Sequence, residues 1–160
     1  MILSDNAESF GFRPEHAKYL LDRSIPLALA HSIGARSMTR QEVALILNRQ
    51  ADSLPSGGLS LEYPQSPGFW RVRMDNAERG KFLTRQGLPV LPYVPPPSIS
   101  PSAAWMDPAV EVTLVEGPWK AIALCAAGFL TIGLAGCNAG GHDAEKKKRN
   151  RPTGDVCRVS

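Results

Sequence analysis

The stretch VEVTLVEGPWKAIALCAAGFLTIGLAG, residues 110–136, decides the fold of this chain. It opens with apolar residues at every second position, Val110, Val112 and Leu114, which predict one face of a β-strand. Thr113 and Val115 cover the other face, a pattern typical of a strand that helices bury on both sides. The sequence therefore predicts a buried strand that ends at an acidic residue.

A tight turn and a short helix follow that strand. Glu116 ends the apolar run, and Gly117 allows the backbone to turn sharply. Pro118 suits the first turn of a helix over residues 119–127, and Gly128 is a natural terminator for it. Gly117 and Gly128 are thus predicted structural turns on either side of a helix.

A second strand is predicted at residues 129–132, which are almost entirely apolar. Strand, helix and strand in this order form a βαβ unit with parallel pairing and a right-handed crossover. Open α/β sheets bind ligands beyond the carboxyl ends of their strands. Glu116 therefore lies at the edge of the sheet where a ligand is expected.

Composition limits the functions that the chain can have. It has 160 residues, 43% of them hydrophobic, which is enough for a real core, and a formal net charge of only +3. The three cysteines have no CxxC spacing and the three histidines do not cluster with them, so no zinc site is expected. Free cysteines favour a reduced, cytoplasmic location.

A membrane span is the less favoured interpretation of the apolar segment at residues 121–137. The segment is 17 residues long without a charge, which is at the short end for a span, and it contains three glycines. A basic run at residues 146–151 is its only support. The first thirty residues carry several charges, which excludes a signal-peptide core there. We therefore expect no membrane partner.

The region at residues 14–49 predicts three short helices that pack through one apolar stripe. Thr39 and Glu42 have the spacing of a capping box ahead of the third helix. One interpretation of this region is a helix-turn-helix motif that binds DNA, and the other is a helical scaffold with no DNA-binding role. The last helix carries few basic residues, which favours the scaffold.

A β-hairpin is predicted next, from alternation at residues 59–63 and 70–74 around a turn rich in proline and glycine. The pattern predicts one apolar face and one face that carries Arg71 and Arg73. These arginines either bind nucleic-acid phosphates and bases or lie on a solvated outer face. Two further short strands are predicted at residues 81–83 and 92–94.

The predicted fold class is mixed, α+β with an α/β unit: small helices and a hairpin, then the beginning of a Rossmann-like sheet. The basic tail is a second candidate for nucleic-acid binding or a solvated charged segment; its candidate residues are Lys146, Lys147, Lys148 and Arg149. The predicted segments are a flexible N-terminus (1–13), a helical and hairpin region (14–94), a Pro-rich linker (95–108), an incomplete βαβ unit (109–138) and a disordered tail (139–160).

The motif EGPWKAIAL (116–124), with an apolar strand before it and AGFLTIGLAG (127–136) after it, resembles the first motif of the Toprim domain. It is most similar to the variant in phage and plasmid primase-helicase proteins. The upstream order of helices, a GGLSLEYP hairpin (57–64), GFWRVRMD (68–75) and PYVPP (92–96) is similar to the region that precedes Toprim in those proteins. The resemblance covers residues 14–138.

This resemblance implies that Glu116 acts as a general acid/base or as part of a Mg²⁺ environment in phosphoryl transfer. Lys120 lies about one helical turn after Glu116, at a position that is often acidic in the primase version, and is a second candidate catalytic residue that would face a nucleic-acid phosphate. The Toprim fold also has a later Asp-x-Asp pair that holds the metal, and after Gly117 this chain has only three acids, none in that pattern: Asp143, Glu145 and Asp155. The expected metal site is therefore incomplete, with Glu116 as its single candidate ligand.

Three functions follow as hypotheses. The first is a truncated or frame-shifted piece of a primase-like, Toprim-containing protein of a mobile element, which acts on DNA in replication and is not active alone. The second is a non-catalytic module that binds nucleic acid or a replication partner through Arg71, Arg73 and the basic tail. The third is a remnant without activity.

Overall fold

The computed structural model describes residues 7–76, 81–100 and 102–135, and it confirms the mixed α+β class. The helices are α1 (Pro14–Leu21), α2 (Leu27–Ser32), α3 (Arg40–Leu47) and α4 (Pro118–Ala126). The strands are β1 (Arg36–Met38), β2 (Gly58–Glu62), β3 (Trp70–Met74), β4 (Phe82–Thr84), β5 (Thr113–Glu116) and β6 (Thr131–Leu134). Short 3₁₀ helices occupy Ala7–Phe10, Ala51–Ser53 and Ser102–Met106.

The first four strands form one antiparallel sheet in chain order, β1-β2-β3-β4. The predicted hairpin is its centre, β2 and β3, and β4 corresponds to the strand predicted at residues 81–83. β1 was not predicted, because three residues are too few to show an alternating pattern.

The register of the hairpin differs from the prediction of one apolar and one arginine-bearing face. Leu59 lies opposite Arg73, and Leu61 lies opposite Arg71. Directly opposed residues share a face, so the two arginines lie on the same face as the two leucines. The prediction was wrong because alternation within each strand does not fix the register between strands, and one step of register exchanges the faces.

Both faces of this sheet are buried as a consequence. The face with Leu59 and Leu61 packs against α1, α2 and α4, and the cluster includes Leu20, Leu27 and Ile122. The opposite face packs against α3; its members include Val43, Leu47, Leu54, Val72 and Met74. The prediction that all three early helices share one stripe was therefore wrong, since α3 packs on the other side of the sheet.

The start of α3 confirms the predicted capping box. The Thr39 side chain accepts a hydrogen bond from the backbone N–H of Glu42 at 3.3 Å, and the backbone N–H of Thr39 donates to Glu42 Oε2 at 2.7 Å. These two bonds satisfy amides that the first helical turn leaves without partners. Hydrogen bonding to Thr39 also lowers the pKa of Glu42.

The predicted βαβ unit is present as β5, α4 and β6, with the two strands parallel and Glu116 paired with Leu134. The expectation that β5 is buried on both faces was wrong. Leu114 is 61% exposed and Val112 is 41% exposed, whereas Val115 packs against the main core. Among the described residues, only one face of the two-stranded sheet is covered, because α4 packs on that side.

Tyr93 joins the βαβ unit to the rest of the fold. In place of the strand predicted at residues 92–94, Tyr93 forms a single antiparallel bridge with Gly133. The backbone N–H of Tyr93 donates to the Gly133 carbonyl at 2.7 Å, and the N–H of Gly133 donates back at 2.9 Å. Trp119 and Ile122 of α4 belong to the same buried cluster as Leu59 and Tyr93.

Candidate nucleic-acid interface

A pocket of about 250 Å³ lies where α1, β3 and the start of α4 meet. We name it the arginine pocket. It brings together the two pairs of residues that the sequence places in separate features, Arg71 with Arg73 and Glu116 with Lys120. Its lining residues are Tyr19, Arg23, Arg71, Arg73, Lys81, Phe82, Glu116, Trp119, Lys120 and Ala135.

Arg71 links the antiparallel sheet to the βαβ unit. Its Nη2 donates a hydrogen bond to the carbonyl of Ala135, just after β6, at 3.1 Å. Its guanidinium carbon lies 5.1 Å from the centroid of the Phe82 ring, which is within the range of a cation–π contact. A carbonyl oxygen carries no net charge, and no carboxylate of the described residues pairs with Arg71.

Tyr19 holds two more arginines in place. The guanidinium carbons of Arg23 and Arg73 lie 3.7 Å and 4.1 Å from the centroid of its ring. Arg23 also donates to the Tyr19 carbonyl at 3.1 Å. The ring itself packs edge-on against Trp119, with centroids 6.3 Å apart. These contacts restrict the two arginine side chains before an anion binds, so binding costs less side-chain entropy.

The remaining charged groups of the pocket have no partner of opposite charge among the residues that the structure describes. Within the described part of the chain, no hydrogen bond or ion pair involves the side chains of Lys81, Lys120 or Glu116. Lys120 does not pair with Glu116, although the two lie about one helical turn apart. Five cationic side chains thus face one carboxylate, and the pocket is strongly positive.

Gly117 explains how the backbone presents Glu116 at this pocket. Its φ of 84° and ψ of 153° belong to a region that only glycine occupies without strain. Its N–H donates to the carbonyl of Leu134 at 2.6 Å, which extends the β5–β6 ladder by one bond. Glu116 is consequently the last residue of β5, and α4 begins immediately at Pro118. Gly128, with φ of 93°, follows the other end of α4.

The residues of the pocket do not fit a Mg²⁺ ion. Magnesium requires near-octahedral oxygen ligands, usually with one or two carboxylates beside substrate phosphates. Glu116 is the single carboxylate among the described residues that line the pocket, and the other charged groups there are cations. Those cations repel a metal ion and attract an anion.

A second polar cluster, which the sequence did not reveal, lies at the start of α1. The buried ring of His16 bonds through Nε2 to Asp75 Oδ1 at 2.7 Å and through Nδ1 to Ser37 Oγ at 2.8 Å. Arg13 Nη2 donates to Asp75 Oδ2 at 2.8 Å. His16 lies in α1 and Ser37 in β1, whereas Arg13 directly precedes α1 and Asp75 directly follows β3. No short motif connects them.

Glu15, His16 and Asp75 offer ligand atoms within 4.8 Å of one another, which is close enough for a metal ion. The guanidinium of Arg13 already contacts both carboxylates, with its Nη1 3.3 Å from Glu15 Oε1. A permanent cation therefore occupies the place that a metal ion needs. The cluster instead fixes α1 to the sheet beside the arginine pocket.

Burial of His16 has a consequence for the pH dependence of stability. Removal of the ring from water lowers the pKa of His16 from its usual value, against the opposing effect of the Asp75 hydrogen bond. As pH falls below about 6.5, the unfolded chain takes up a proton that the folded chain does not, so the free energy of unfolding falls.

We therefore expect the urea midpoint to decrease as pH is lowered from about 6.5, and the His16→Gln variant to lose this part of the pH dependence. An NMR titration of the His16 ring checks the same statement directly. A titration midpoint of the His16 ring above the usual pKa of histidine would contradict this expectation.

Other predicted features lie outside the described residues. These are Lys146, Lys147, Lys148 and Arg149 of the basic tail, together with the acids Asp143, Glu145 and Asp155. Across residues 7–76, 81–100 and 102–135, no helix is long and apolar enough to span a membrane. The uncharged segment at 121–137 instead contains the last six residues of the nine-residue α4 and the strand β6.

Comparison with known families gives one match. Residues 102–156 match a domain of unknown function (DUF3854). The match contains β5, α4 and β6, hence Glu116, Lys120 and the turn between them. No curated protein and no solved structure shows significant similarity to the chain.

Proposed function

We propose that this chain binds single-stranded nucleic acid through the arginine pocket, as part of a primase-like, Toprim-containing protein in the DNA replication of a mobile element. One observation carries the binding proposal: five cationic side chains line one pocket together with a single glutamate, and none of the six is paired with an oppositely charged side chain among the described residues. A cleft lined mainly by charges of one sign focuses the electric field and concentrates ligands of the opposite sign. The primase-like context rests on the resemblance of residues 14–138 to the Toprim-containing proteins.

Phosphate is the anion that suits this site best. Arginines at a fixed position bind phosphate through several N–H donors at once, and lysines add charge without directional demands. Tyr19 and Phe82 lie against the guanidinium groups, and aromatic rings beside cations are typical of surfaces that bind single strands.

Phosphoryl transfer in such a protein needs further acidic groups beside Glu116. For the described residues we therefore propose binding of a single nucleic-acid strand. Any Mg²⁺-dependent step would need carboxylates from another segment or another chain. The non-catalytic binding module, which the sequence offered as an alternative, becomes the main proposal for these residues.

The test is fluorescence anisotropy of a labelled oligo-dT strand at several salt concentrations. If the pocket neutralises about three phosphates, a plot of the logarithm of the association constant against the logarithm of the salt concentration should have a slope of about −2. The affinity should then fall roughly 15-fold between 50 and 200 mM salt. The same titration with oligo-rU shows whether the sugar matters. Absence of binding at low salt would overturn the proposal.

A control separates the pocket from the basic tail. The variant with Lys146, Lys147, Lys148 and Arg149 all changed to glutamine keeps the pocket intact. We expect this variant to keep most of its affinity for the strand. Complete loss of binding would assign the interaction to the tail.

A further inference from the structure

A second cleft adjoins the arginine pocket and differs from it in charge. It lies between α1 and the end of β3, has a volume of about 500 Å³, and we name it the α1 cleft. Tyr19 and Arg73 line both cavities, so the two are neighbours with a common wall.

The α1 cleft is balanced in charge, whereas the arginine pocket is not. Three cations and three carboxylates line the cleft. Two of the cations are already paired, Arg13 with Asp75 at 2.8 Å and Lys18 with Asp22 at 2.8 Å. A phosphate gains little there, because the carboxylates repel it.

The groups that the α1 cleft does offer are hydrogen-bond partners for an uncharged polar ligand. The exposed Asn76 provides both a donor and an acceptor, and the Asp22 carboxylate keeps acceptor lone pairs beyond the two hydrogen bonds that it accepts from Lys18 Nζ. Arg73 adds a planar guanidinium of the kind on which bases stack, whereas the Tyr19 ring is already covered by Arg23 and Arg73. The volume is within the range of sites that bind small molecules.

We infer that the two cavities together hold one nucleotide unit, with its phosphate in the arginine pocket and its nucleoside in the α1 cleft. A nucleotide consists of an anionic phosphate and an uncharged polar nucleoside, which match the positive pocket and the charge-balanced cleft respectively. This inference rests on the proposed function, and it adds the direction in which the ligand lies: from α4 across Arg73 towards α1.

Calorimetry on the full chain tests the inference with four probes: adenosine 5′-monophosphate, uridine 5′-monophosphate, inorganic phosphate and adenosine. We expect the two nucleotides to bind roughly tenfold more tightly than inorganic phosphate, because stacking and hydrogen bonds of the nucleoside add to the phosphate contacts. Asn76→Leu removes the donor and the acceptor of this side chain without a change in charge and without a new aromatic surface. It should reduce nucleotide affinity towards that of inorganic phosphate and leave phosphate affinity unchanged.

Amide chemical shifts in the wild-type chain give a second readout that needs no variant. Adenosine 5′-monophosphate should move the signals of Lys18, Asp22 and Asn76, and inorganic phosphate should not. Equal affinity for nucleotide and phosphate, with no shifts in the cleft, would overturn the inference and leave the phosphate pocket standing. If neither phosphate nor nucleotide binds, the inference and the proposed function both fail.

Discussion

Replacement of both Arg73 and Lys120 by glutamine is expected to weaken binding of single-stranded DNA by at least roughly tenfold at low salt. Both side chains line the arginine pocket, and neither pairs with a carboxylate in the described part of the chain. The slope of affinity against salt should also become shallower, by about one to two units, because two fewer counterions are released. Anisotropy titrations of wild type and variant over a salt series measure both quantities.

The matched control removes the same charge elsewhere. Arg36 on β1 and Arg85 after β4 are exposed and do not line the pocket. The Arg36→Gln, Arg85→Gln double variant should bind the strand within about twofold of wild type, since distant exposed charges are screened by salt. Equal losses in the two double variants would show that total charge, rather than the pocket, determines binding.

Gly133→Ala is expected to lower the free energy of unfolding by about 3 kcal/mol. A methyl group at this position would lie 2.8 Å from the carbonyl oxygen of Gly117 and 3.1 Å from the Cα of Pro118. Both are backbone atoms of the turn that follows Glu116, so they cannot move aside as a flexible side chain does. Urea unfolding, followed by circular dichroism, measures the loss.

Gly128→Ala is the control for that variant. Gly128 has a φ of 93° but open space around it, so alanine there meets only the cost of a left-handed backbone, about 1–2 kcal/mol. We expect Gly133→Ala to cost more than Gly128→Ala. The reverse order, or a neutral Gly133→Ala, would contradict the close approach of β6 to the turn.

Much of the fold was predictable because its signals are local. The capping box at Thr39, the hairpin turn between β2 and β3, and the βαβ unit each depend on residues within a short segment. The faces of the strands were not predictable in the same way. The pairing of Leu59 with Arg73 depends on register, and the exposure of Leu114 depends on which faces of the βαβ unit are covered.

The candidate site was predictable only in its parts. Glu116 and Lys120 follow from the turn into α4, and Arg71 and Arg73 follow from alternation in β3. Their convergence depends on contacts between distant segments, such as the hydrogen bond from Arg71 to Ala135, which no periodicity encodes. Tyr19 gave no sequence signal as a binding residue, because an aromatic residue on an amphipathic helix usually belongs to the core.

The most direct test of the central claim, that this pocket binds an anion rather than Mg²⁺, is the affinity of Glu116→Gln for single-stranded DNA in the presence of EDTA. Glu116 is the single carboxylate among the described lining residues, and its removal takes away a repulsion for phosphate, so the variant is predicted to bind roughly two- to fivefold more tightly than wild type. Wild type should bind equally well with EDTA and with Mg²⁺. Weaker binding by Glu116→Gln, or wild-type binding that requires Mg²⁺, would contradict the claim.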